Sequence, residues 1–257
     1  MYRLSNSFAA FSASLLLTLA IPACAAPNLV DVTVVDREMG GTLPAYRYRS
    51  QTFVEGQPGS RYAIQLNNRS NQRVMVVLSV DGVNVITGET ATVNQSGYVL
   101  APYARTEITG WRKNLNEAAA FYFTALPDSY AARTDRPDNV GVIGAAVFTE
   151  RPTRPISPPP VAASPERGRM ASKAEAGAAA PSADLREADR LGTGHGEREY
   201  SPTRYTDFER ASHQPNQVVR LRYDSYANLV AMGVIPSRRA PQPFTPDPFP
   251  GFTPDPR

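Results

Sequence analysis

The sequence predicts a mainly β protein built around a β-sandwich or jelly-roll-like domain, and three observations carry that expectation. Residues 28–150 fall into short runs that alternate apolar and polar side chains, the pattern of strands with one buried face. Turn-forming residues separate the runs at short intervals, Asp81-Gly82 being the sharpest example. The composition then changes abruptly after Arg151, where prolines crowd together and aromatic residues disappear until Tyr200.

Taken in order, residues 29–35 form the first alternating run, and residues 62–66 a period-two strand that stops at the turn-prone Asn67-Asn68. Residues 74–80 are continuously apolar apart from Ser79, which predicts a strand buried on both faces. Asp81-Gly82 supplies the positive φ that a tight hairpin needs, and residues 83–86 return. Residues 97–100, 106–111 and 119–124 read as three further strands, with Tyr103, Trp111, Phe121 and Phe123 available to the core. Residues 129–133 read as a short helical or turn insertion, and residues 140–148 close the unit. Gly141 and Gly144 in that last run mark a bulge or a close backbone approach. A unit of about 120 residues is long enough to bury its own core.

Beyond it, residues 151–185 lack the apolar side chains needed to offset the entropy of ordering and are read as a disordered linker. Residues 186–236 are expected to form a small C-terminal β segment, in which the apolar runs 218–223 and 229–235 can pair across 224–228. A unit of that size is near the lower limit for folding alone, so it is expected to dock on the sandwich, adding strands to an edge. Residues 237–257 are read as a disordered proline-rich tail, with Phe-Thr-Pro-Asp-Pro repeated at 244–248 and 252–256.

The first residues carry an export signal. Arg3 gives the positive start, residues 8–21 the apolar stretch, and Pro22 breaks it before small residues, so 1–25 is read as a signal peptide. The stretch is too short to span a bilayer, which takes roughly 20 residues. Two cleavages compete. Ala23-Cys24-Ala25 fits the small-x-small rule and would release a soluble chain, whereas Ile21-Pro22-Ala23-Cys24 resembles a bacterial lipobox in which Cys24 is acylated. Either way the chain is placed in the periplasm or at the outer membrane, and its single cysteine can form no internal disulfide.

With a net charge of +3 spread over 257 residues, no strong field calls for nucleic acid, and membrane contact is expected only through the lipid anchor at Cys24. An envelope protein is the expected partner. No catalytic residue and no cofactor are indicated: there is no Gly-x-Ser-x-Gly elbow, and the two histidines and one cysteine give no metal-ligand spacing. Asp135, Asp138 and Asn139 read as solvated loop residues rather than calcium ligands.

The best local candidate for a ligand-binding loop is Gly192-Thr193-Gly194-His195-Gly196. Its glycines would let backbone N–H groups approach an anion while the imidazole donates a proton, but no Lys-Ser/Thr follows as in a P-loop. A plain structural turn is the competing reading. Trp111 and Tyr103 are candidates for an exposed carbohydrate-binding patch, against core packing of Trp111.

Together, Tyr62-x-Ile64-x-Leu66-x-Asn68, the residues 79–85, Gly110-Trp111-Arg112, residues 129–133, residues 139–144 and residues 192–196 resemble an uncharacterised group of proteobacterial secreted or envelope proteins. That resemblance implies a compartment and a shared design, and carries over no catalytic residue. The expected function is a non-enzymatic envelope interaction or assembly module. The alternatives are a small-ligand-binding protein or enzyme using the segment around His195, and a carbohydrate-binding module.

Overall fold

The computed structural model describes residues 28–152 and 190–236. The segment read as a signal peptide, with Cys24, residues 153–189, with most of the segment read as a linker, and the one read as a tail, 237–257, lie outside the described residues. The strands, in chain order, are β1 (Val30–Asp36), β2 (Ala45–Tyr48), β3 (Gln51–Glu55), β4 (Arg61–Asn68), β5 (Val74–Val80), β6 (Val83–Asn84) and β7 (Tyr98–Leu100). They continue with β8 (Arg105–Ile108), β9 (Gly110–Arg112), β10 (Glu117–Ala125), β11 (Val142–Thr149), β12 (Leu191–Tyr200) and β13 (Gln217–Asp224), followed by a short helix α1 (Tyr226–Ala231).

The strands form two sheets, as the alternation predicts for a sandwich. One runs β1-β4-β10-β12, with β8 on β4 and β9 on β10; the other runs β2-β3-β13-β11-β5-β6, with β7 on β5. Their inner faces share one core in which Tyr62, Ile64, Phe121 and Phe123 of the first sheet meet Leu78, Ile143, Leu221 and Tyr223 of the second. β5 is buried at every position except the half-buried Ser79, so its continuous apolar run reflects burial on both faces. Asp81 and Gly82 both adopt positive φ, 52° and 75°, and close the β5–β6 hairpin as its sequence dictates.

Residues 191–224 are built into the sandwich, one strand per sheet. β12 pairs with β10 at an edge, while β13 lies between β11 and β3, antiparallel to the former and parallel to the latter. The apolar run 229–235 does not pair with β13 as a strand. Ser225 caps a helix by accepting a hydrogen bond from the Asn228 backbone N–H, and Gly233 (φ 74°) ends the turn that follows. Leu229, Val234 and Ile235 then pack on Phe53 from outside the second sheet. The 106–111 run is divided: β8 follows β4 and β9 follows β10. Gly110 sits at that change of partner, where an added Cβ would lie 2.1 Å from the Ala119 carbonyl oxygen.

Candidate functional site

The glycine-rich segment 192–196 is strand, not loop. Residues Leu191 to Tyr200 all belong to β12 and pair with β10, with an irregularity between Ala119 and Phe121. Its glycines are explained by what presses on them. A Cβ on Gly192 would lie 2.6 Å from the Ser129 Cβ and 2.8 Å from a Val140 methyl, and one on Gly194 only 2.1 Å from the Tyr122 ring. Gly196 faces the Ala120 carbonyl at 2.8 Å. Backbone groups here are also taken: Trp111 Nε1 donates to the Gly194 carbonyl and the Tyr130 N–H to that of Thr193. The spacing Gly-Thr-Gly-His-Gly thus lets neighbours close over one face and sends Thr193 and His195 to the other.

Thr193 enters a buried polar chain that the sequence did not announce. Its Oγ1 is 2.6 Å from both the Tyr62 and Tyr223 hydroxyls, and Tyr223 donates to Asp81 Oδ1 at 2.5 Å. Asp81 also accepts from the Gly141 N–H (2.9 Å) and, through Oδ2, from the Thr193 N–H (2.8 Å). With Asp81 as terminal acceptor, the hydroxyl protons line up from Tyr62 to Thr193 to Tyr223 to carboxylate. Asp81 is fully buried, and burial outweighs these hydrogen bonds to push its carboxyl up to about 6. Burial, helped by the Asp81 charge, raises both phenols well above the usual tyrosine range, so they remain donors. The chain is sealed between the sheets and ties the β5–β6 turn to β12 and β13, a structural role rather than a reactive one.

His195 is half-buried, at the mouth of the same face. Its ring lies 5.5 Å from that of Tyr130, which packs 4.8 Å from the buried Trp111. Tyr130, Arg133, Thr134 and His195 line an open cleft of about 260 Å³. Three of these come from the insertion between β10 and β11, whose 3-10 turns span Leu126–Asp128, Ala132–Thr134 and Pro137–Asn139. Trp111 is 2% exposed and Tyr103 67%, so the two rings do not form one exposed face for a sugar. Asp135, Asp138 and Asn139 lie in this insertion, and no group of metal-ligating side chains converges among the described residues.

A second, longer concavity runs where the two sheets part, and it was not anticipated. In β1 the Arg69 N–H donates to the Leu29 carbonyl, and Val30 is paired with Asn68. Odd-numbered residues therefore bond to β4 while Val30, Val32 and Val34 turn their backbone groups to the open side. Val34 is met there by the Leu43 N–H. Val30 is met by the Gln217 side chain, which accepts from the Leu29 and Val30 N–H groups at 2.8 and 2.9 Å and donates to the Val30 carbonyl at 2.8 Å. Among the described residues, no strand lies against Val32 on that side.

β13 is open in the same direction. The Tyr223 N–H donates to Gly141, so the odd residues of β13 face β11, and Val218 and Arg220 turn outward before β3 joins at Arg222. Between the two edges lies a groove of about 740 Å³ lined by β1, β2, β3 and β13. Arg47, Arg220 and Arg222 line it, none of them in an ion pair among the described residues. Asp31, the acid in the lining, is 3.5 Å from Arg69.

No family model, curated protein or solved structure matches this chain. Of the residues singled out in the sequence, Gly192, Gly194 and Gly196 serve packing, Thr193 the buried chain, and His195 alone reaches a concave surface.

Proposed function

We propose that this protein is an exported, non-enzymatic envelope interaction module that takes up an extended acidic peptide segment of a partner protein as an added strand. One observation carries the reading. Two unpartnered strand edges, Val32 on β1 and Val218 with Arg220 on β13, face one groove. Unpaired strand backbone is a ready template for pairing with another chain, and side-chain pockets along it give specificity. The free stretch, Val32 on one side and Val218 to Arg220 on the other, matches about three residues of extended chain at roughly 3.3 Å each. Arg47, Arg220 and Arg222 favour Glu or Asp on the incoming segment. Export rests on the N-terminal segment 1–25, and attachment at the outer membrane on acylation of Cys24.

The test uses a synthetic peptide of sequence Thr-Glu-Val-Glu-Val-Thr with blocked ends, titrated into the labelled mature protein. Binding should slow hydrogen exchange at the Val32, Val218 and Arg220 amides and leave β5 and β11 unchanged. Arg220→Glu with Arg222→Glu should weaken it by about tenfold or more. The reading fails if a peptide with proline at both valine positions, unable to donate from those residues, binds equally well, or if those three amides stay unprotected at saturation.

A further inference from the structure

We infer that the cleft at His195 is a second, independent binding site, built for a compact dianion. The cleft floor is aromatic and its rim cationic. Tyr130 lies between Trp111 and His195 with its ring tilted against both, Lys113 Nζ stands 6.0 Å above the Tyr130 ring, and Arg133 lines the wall. The lining hydroxyl of Thr134 is already committed: it donates to the Tyr130 carbonyl at 2.8 Å and accepts from Arg136. This leaves Arg133, His195 and the Tyr130 hydroxyl in the lining, with Lys113 above the Tyr130 ring, as the side-chain groups able to meet a ligand.

The charges around the cleft are one-sided. Lys113, Arg133 and Arg198 surround His195. Arg198 is shared with Glu117 at 3.6 Å, and Glu117 also accepts from Asn114. The neighbouring acids on β12 are turned elsewhere, Glu197 to Arg61 and Glu199 to Arg37. Neither Arg133 nor Lys113 has a carboxylate partner among the described residues. Burial first, then Lys113, Arg133 and Arg198, hold the imidazole below its ordinary range, so it is neutral near pH 7. Like charges gathered without a counter-ion repel one another, and a ligand of opposite sign removes that repulsion. A dianion placed between Arg133 and Lys113 would also favour the charged imidazole, so its binding and the protonation of His195 reinforce each other. A volume of about 260 Å³ suits a small ligand with a phosphate group or a pair of carboxylates rather than a large cofactor.

Inorganic phosphate and malonate are the probes, each added to about 10 mM at constant ionic strength with chloride as the balancing anion. The His195 ring proton is titrated by NMR, with the exposed His213 as internal reference. Either probe should raise the His195 pKa by about 0.5 or more while His213 stays put. Arg133→Gln should abolish the rise while leaving the amide spectrum of the core intact. A response to phosphate alone assigns a tetrahedral oxyanion, and one to malonate alone a dicarboxylate. Equal movement of both histidines, or none, overturns the assignment, as does an unchanged response in the Arg133→Gln variant.

Discussion

β12 and β13 come from one stretch of chain and complete one sheet each, yet they are held in opposite ways. β12 lies at a sheet edge and is clamped from above, its glycines pressed by Tyr122, Ser129 and Val140. β13 lies inside its sheet and is open along part of one side, with Val218 47% exposed and β3 absent until Arg222. A strand's place in the sheet order therefore does not decide how tightly it is closed in. Close approach of neighbouring side chains seals β12, and divergence of a neighbouring strand opens β13. The closed strand carries the cleft at its mouth, and the open one carries the groove along its edge.

The largest expected difference comes from adding bulk to each strand. Gly192→Val should cost about 3 kcal/mol or more, or prevent folding, because the new side chain would have to displace Ser129 and Val140. On β13, Val218→Phe at a half-exposed position should change stability by less than about 1 kcal/mol, as read by chemical denaturation. Equal losses at the two sites would erase the contrast.

Asp81 joins the two strands and gives the next largest effect. Its carboxyl is pushed up from 3.8 to about 6 in the folded protein, so the folded state holds the proton more tightly than the unfolded chain. The stability this confers is present in full below pH 3.8 and is lost as the pH rises through about 6, a change of roughly 3 kcal/mol. Asp81→Asn should be less stable at low pH, because the amide cannot satisfy the Thr193 N–H in the same way, but should lose the decline between pH 4 and 7. Denaturation midpoints across that range, wild type against variant, decide the point.

Gln217→Ala should cost about 1–2 kcal/mol by leaving the Leu29 and Val30 amides unmet, and should speed hydrogen exchange there without affecting β12. Smallest of all, Arg222→Glu should shift stability by under about 0.5 kcal/mol while weakening the acidic peptide, since it changes the groove and not the core. A large loss of stability would mean that Arg222 supports the fold.

The contrast also explains what could be read from the sequence. Strands with one buried face and local turns were legible: β1, β4 and β5 follow their alternation, and Asp81-Gly82 announces its hairpin. β2 and β3 were not, because Arg49 and Ser50 turn the chain with φ of 46° and 63° without any glycine to advertise it. Helix α1 had its signals in Ser225 and Gly233, but the apolar run 229–235 fits a short strand equally well. At the site, the glycines of β12 were visible while their purpose was not, since Tyr122, Ser129 and Val140 are distant in sequence. Asp81 looked like an ordinary turn residue because the groups that bury it arrive 60 to 142 residues later. The groove depends on where two strand edges end up, which no local pattern encodes.

The lodging of β13 between β11 and β3 has a consequence for the order of folding. Phe53 waits for Arg222 and Tyr62 for Thr193, so the first sheet lacks its last strand until the chain has been made as far as Tyr200 and the second until Asp224. Contacts so far apart in sequence make loop closure, rather than local strand formation, the slow step. Until β13 arrives, Asp81 lacks the Tyr223 hydroxyl and sits at an unfinished seam, favouring an expanded chain over a prematurely collapsed one. Under the export proposed for this protein, a fastening strand that comes late keeps the polypeptide threadable until both sheets can close.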